Sequence, residues 1–230
     1  MSKIILYTNA NCPFAQRAHI VLAELGLKYE SVSIDLSVPR EPWYLKINPR
    51  GLVPAVKYGE HLLVESQVIS QFFVDLKASH LLPSSGSVDG ALARARVNFF
   101  NDTFATKVQA PFFGSLTSPN EADRATKATQ FLDAIENDIV PLLKDAAPFF
   151  GGSKELTLAE VNAAPLVVRF LAYAKSDTGL LPAFVEERLN SITIFQAWAK
   201  AIAAHKSVSE WYDEKANVEQ TQKRIFKLRA

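Results

Sequence analysis

Near residue 80 the hydrophobic pattern of this 230-residue chain changes period, and that change constrains the fold more than any other feature. Before it, short β-branched or alternating runs at 4–7, 29–34, 55–58 and 61–64 take turns with helical spacings at 13–25, 41–47 and 66–76. The order is βαβαββα. Gly26 closes the first predicted helix in C-cap position, and the turn Gly59-Glu60 joins the last two strands. In the helix over 66–76, Val68, Ile69, Phe72 and Phe73 are expected to face inward. A Pro/Ser/Gly stretch, Leu81 through Ser87, then reads as a linker. Beyond it strand signals fade and alanine-rich helical periods occupy 91–107, 122–143, 158–173, 185–192 and 195–204. The expected class is therefore α/β plus all-α, with a unit at 1–80, a linker at 81–90 and a helical unit at 91–230.

Thr157-Leu158-Ala159-Glu160 fits a capping box, with Leu156 and Val161 as its hydrophobic staple, and fixes a helix start at Leu158. This motif organises folding and carries no chemistry.

Balanced charge excludes a whole-protein field for nucleic acid or an anionic membrane: 25 Lys plus Arg face 24 Asp plus Glu. The basic end Lys223 to Arg229 reads as a solvated helix face. No apolar run reaches the roughly 20 residues of a transmembrane helix, and residues 4–7 are too short for a secretory core. A single cysteine leaves no intramolecular disulfide and no Cys-x-x-Cys pair, and four scattered histidines argue against a structural metal. A cytoplasmic protein without metal is the expectation.

The chemistry concentrates at Asn11-Cys12-Pro13-Phe14-Ala15, a strand-to-helix turn. Proline suits the first helical position, and the free amides and positive dipole end there favour an anion. A cysteine so placed is expected to have a lowered pKa and to react as a thiolate; the alternative is that Cys12 is a small buried hydrophobe, the commoner state of a free cysteine. Arg17 follows one turn later, placed either to assist or to face solvent. Val53-Pro54 precedes a strand, where proline is tolerated; in the cis form it would turn the Val53 backbone outward to grip a peptide. Glu65-Ser66 begins a helix, where hydroxyl and amide can hold a carboxylate.

Taken in order and spacing, Cys12 to Arg17, Asn48 to Pro54, Glu65-Ser66 and Phe149 to Glu160 resemble the glutathione transferases, specifically the cysteine-type omega or omega-like class. The resemblance covers nearly the whole chain; one departure is Glu160 where aspartate is common. It implies a thioredoxin-like N-terminal domain that holds glutathione, a helical domain that completes an electrophile pocket, and a homodimer. It further implies that Cys12 forms a mixed disulfide with glutathione as cosubstrate. Val53, ahead of cis-Pro54, would pair with the cysteinyl backbone, and Glu65 with Ser66 would bind the γ-glutamyl end. Phe14 and Arg40 complete the expected glutathione-binding set.

The resulting expectation is a glutathione-dependent thiol transferase or reductase acting on a mixed disulfide or small hydrophobic electrophile. One alternative is a carrier of hydrophobic molecules lined by Phe99, Phe100, Phe104, Phe112, Phe113 and Trp211. Another is conventional glutathione conjugation using the hydroxyl of Tyr7 or Thr8.

Overall fold

The structure, a computed structural model, describes residues 2–229. Its first third is β1 Ile4–Thr8, α1 Pro13–Glu24, β2 Glu30–Ser33, α2 Pro42–Ile47, β3 Ala55–Tyr58, β4 His61–Val64 and α3 Ser66–Leu76. The strands lie in the order β2-β1-β3-β4, with β1 parallel to β2 and antiparallel to β3, and β4 antiparallel to β3. This is a thioredoxin-like domain.

β2 is shorter than the alternation over 29–34 predicts and mostly exposed, because it is an edge strand covered on neither face over most of its length. Val68 is a second correction. It is 54% exposed, while Ile69 and Phe73 of the same helix are buried and Phe72 is half-buried.

The helical domain comprises α4 Val88–Thr103, α5 Gln109–Thr117, α6 Glu121–Ala134, α7 Leu158–Tyr173, α8 Phe184–Ser191, α9 Thr193–Ala204, α10 Lys206–Ser209 and α11 Glu214–Arg229. Two of the predicted helices end differently, each beside a proline. A wide π turn at Phe104–Val108 joins α4 to α5, just before Pro111, whose missing N–H could not serve the Lys107 carbonyl. Another at Ile135–Ile139 follows α6 and passes into a tight turn holding Pro141. Neither α5 nor the full α11 was marked by its sequence period. Among the described residues no helix is long and apolar enough to cross a membrane.

α7 is the axis of the molecule. Its residues are buried almost without exception, and it packs against α1, α4 and α9. Its start matches the expected capping box, and Glu160 does more than close it. With no exposed surface, the carboxylate accepts from the Phe150 amide (2.8 Å), Trp198 Nε1 (2.6 Å), and the Thr157 amide (2.8 Å) and hydroxyl (2.7 Å). A buried charge is tolerated when every acceptor position is filled in this way.

One apolar core runs from Leu6 and Ile20 through Phe73 to Phe100, Phe170 and Trp198, crossing from sheet to helices. Leu81 and Leu82 belong to it, and the Leu81 carbonyl accepts from the Leu158 amide at 2.7 Å. The chain between the sheet and α4 is thus anchored at its start. α1, packed against α3, α7 and α10, is buried from Ala15 to Leu22. Gln16, Arg17 and His19 are among those residues, so three polar side chains had to find partners inside.

Candidate functional site

A cleft of about 520 Å³ opens between the thioredoxin-like domain and α4–α5, and Cys12 lies in its wall. Cys12 is the N-cap of α1, with Pro13 at N1 as the sequence predicts. Its Sγ is 3.7 Å from the Val53 carbonyl, which accepts from the thiol. The Val53-Pro54 bond is cis.

The expected low thiol pKa is not what the site produces. Burial pushes the Cys12 thiol up; the Ala15 and Phe14 amides, then Arg169 and Arg17, pull it down without overcoming that burial. The sequence argument counted the helix end and could not count the walls that dry it.

The structure brings all seven predicted residues, Cys12, Phe14, Arg40, Val53, Pro54, Glu65 and Ser66, to this one cleft. Ser66 is the first residue of α3 and is buried, and Arg17 Nη1 donates to its Oγ at 3.1 Å. Glu65 before it has φ 68°, a conformation that costs a non-glycine residue energy and clusters at binding sites. The Glu65 carboxylate pairs with Arg50, which also lines the cleft. Arg40 is present at the rim, but its guanidinium is occupied by its own loop: Nε donates to the Gly51 carbonyl at 3.0 Å and Nη1 to the Asp35 carbonyl at 2.7 Å. It braces the 35–51 loop.

Three residues that matter here escaped the sequence reading as site residues. Arg50 carried no signal beyond membership of the Asn48 to Pro54 run. Arg17 is 3% exposed, so of its two anticipated placements it is not the solvent one; it lies inside at the cleft, its charge lowers the Cys12 pKa, and its Nε donates to the Asn162 carbonyl at 2.7 Å. Arg169 arrives from α7, where it donates to Gln16 Oε1 (2.8 Å) and to the Asn11 carbonyl (3.2 Å). Its only sequence sign is a charge inside an apolar helix.

The aromatics sort clearly. Phe100, Phe104 and Phe112 are core, and Trp211 stacks on His19 at 4.0 Å. Phe99 is exposed. Phe14 lines the cleft beside the thiol and is backed by Phe113, ring centroids 6.3 Å apart. Tyr7 sits in a separate cluster with Trp43 and Tyr44, and the Thr8 hydroxyl bonds His19 at 2.8 Å, so neither hydroxyl reaches the cleft. Among the described residues no cluster of three His, Cys, Asp or Glu could hold a metal.

Residues 11–76 match the family profile described as glutathione S-transferase, N-terminal domain. The chain belongs to the glutathione transferase superfamily. Its fold is similar to that of glutathione transferase Omega 2C from Trametes versicolor, with a TM-score of 0.82, 29% identity, and 98% of this chain and 100% of that one covered. A second similar structure is rice GST1, solved in complex with glutathione: TM-score 0.78, 25% identity, coverage 99% and 98%. Among curated relatives, glutathione S-transferase DHAR3 of Arabidopsis thaliana is 30% identical over 160 residues, 67% of this chain. That match spans about half, 53%, of the relative's length. The coverage of the Trametes versicolor Omega 2C structure takes in both the sheet domain and the helical domain of this chain.

Proposed function

We propose that this transferase is a glutathione-dependent thiol transferase or reductase working through a Cys12-glutathione mixed disulfide. The observation that carries the reading is the only thiol of the chain, at a helix N-terminus, in a cleft it shares with the Val53-Pro54 turn and the Glu65-Ser66 helix start. These suit the backbone and the γ-glutamyl end of glutathione, the family's cosubstrate.

The cycle balances with one cysteine. The Cys12 thiolate attacks the glutathionyl sulfur of a mixed disulfide, forming Cys12–S–SG and expelling the other thiol as thiolate, which takes a proton from water. Free glutathione thiolate then attacks the glutathionyl sulfur of the adduct, giving oxidised glutathione and restoring the Cys12 thiolate. Burial keeps the thiolate fraction small, but a more basic thiolate is the stronger nucleophile, and the amides and two arginines limit the loss. Phe14, Leu52 and Val68 in the cleft wall suit an apolar acceptor, which supports glutathionyl mixed disulfides and ketone conjugates of small hydrophobic molecules as substrates.

We read the working form as a homodimer, supported by exposed apolar side chains on β4, α3 and α4: Leu62, Val68, Leu76, Leu92 and Phe99. A working free thiol suits a reducing, cytoplasmic setting. The test is thiol transfer from a model glutathionyl disulfide by Cys12→Ser, which must lose it; full activity in that variant would end the proposal.

A further inference from the structure

We infer that Arg17 is the positioning residue for the carboxylate of the glutathione γ-glutamyl end, acting through the Ser66 hydroxyl; this rests on the glutathione reading above. Arg17 is a buried cation with no carboxylate within ion-pair distance among the described residues. Burial lowers its pKa only to about 10, so it stays charged at neutral pH. An unpaired buried charge is strongly unfavourable. Its Nε and Nη1 have acceptors, the Asn162 carbonyl and Ser66 Oγ, but its buried Nη2 has none. The one anion the protein offers nearby is the Cys12 thiolate, which burial disfavours, so the unpartnered Nη2 leaves the charge open to an anionic ligand.

The Ser66 hydroxyl says where. A guanidinium can only donate, so Ser66 Oγ accepts from Arg17, and the serine's own hydrogen is left for another acceptor. Among the described residues that hydrogen has no protein acceptor, and Ser66 lines the cleft. It sits at the start of the eleven-residue α3, whose first amides lack intrahelical partners. Donation from Arg17 polarises the hydroxyl and strengthens what it gives to an anion. The group that fits is a carboxylate held by hydroxyl and helix amides, with the guanidinium behind as its charge.

The test compares two mixed disulfides of one acceptor thiol as donors to Cys12, one carrying glutathione and the other 4-aminobutanoyl-cysteinylglycine, which keeps the amine and sulfur and lacks only the α-carboxylate. The ratio of their kcat/KM values is measured in wild type, Arg17→Met and Arg17→Lys; because both substrates meet the same sample, a loss of folded protein cancels. Wild type should prefer glutathione by about tenfold or more, the size of a charge-assisted hydrogen bond. Arg17→Met should bring the ratio close to unity, mainly through KM, and Arg17→Lys should restore part of it. An unchanged ratio in Arg17→Met overturns the inference, as does slower alkylation of the thiol with the ratio intact, which would make the guanidinium a partner of Cys12. A wild-type ratio of one, or no glutathionyl adduct on wild type, would instead remove the glutathione reading itself.

Discussion

The two walls of the cleft are made differently. The thioredoxin-like wall is a set of local turns: a cysteine cap before Pro13, a cis proline before β3 and a positive-φ residue before α3. The helical side acts over distance: Ala105 and Gln109 line the cleft, and behind it Arg169 donates to Gln16 and Asn11, 153 and 158 positions earlier and close to Cys12 in sequence. Local geometry supplies the reacting groups, and long-range packing sets how dry and how charged their surroundings are. The comparison is sharpened by breaking one wall at a time.

The largest effect belongs to the local wall. Cys12→Ser is expected to lower thiol-transfer kcat/KM by on the order of a thousandfold or more, as loss of a covalent nucleophile does, with an unchanged melting temperature.

On the helical side, Glu160→Ala removes one acceptor from four donors, including the Phe150 amide and Trp198 Nε1. Stranding buried donors should cost about 3 kcal/mol or more in denaturant unfolding. A loss below about 1 kcal/mol would show that α7 does not depend on this carboxylate.

Outside the cleft, His19 of α1 is bonded to Thr8 (2.8 Å) and Tyr29 (2.7 Å) and stacked on Trp211. Burial drops its pKa from 6.5 to about 4. The unfolded chain therefore takes up this proton first as pH falls, so the stability from a neutral His19 is complete above 6.5 and is lost down to about pH 4. Its size is about 3 kcal/mol. Relative to His19→Gln, the wild type should lose that amount over the interval, read by unfolding monitored through tryptophan fluorescence; parallel pH profiles would refute it.

The smallest effect is the most specific. Arg169→Met removes a charge that lowers the Cys12 pKa, so the midpoint of the thiol's alkylation profile should rise and alkylation near neutral pH should slow severalfold, with the rates converging in alkali. In wild type that midpoint should already lie above an ordinary thiol's, because burial outweighs the helix amides.

How much of this was legible in the sequence follows from the same contrast. The bounds of β3, β4, α3 and α7 can be read directly, since period, turn residues and the Thr157-Glu160 cap are local signals. The cleft residues Cys12, Val53, Glu65 and Ser66 are legible for the same reason. Arg17 and Arg169 are not, because a charge in a helical pattern looks solvated until the element covering it is known. The Cys12 pKa was misjudged on similar grounds: the cap is visible in the sequence, the burial is not. Val68 shows the converse, an apolar residue at core spacing that packing leaves outside.

Mass spectrometry of the intact protein after incubation with oxidised glutathione tests the account most directly. It predicts a single glutathionyl adduct on Cys12, removed by added reduced glutathione and absent in Cys12→Ser. No adduct on wild type, or one that reduced glutathione cannot discharge, would contradict it.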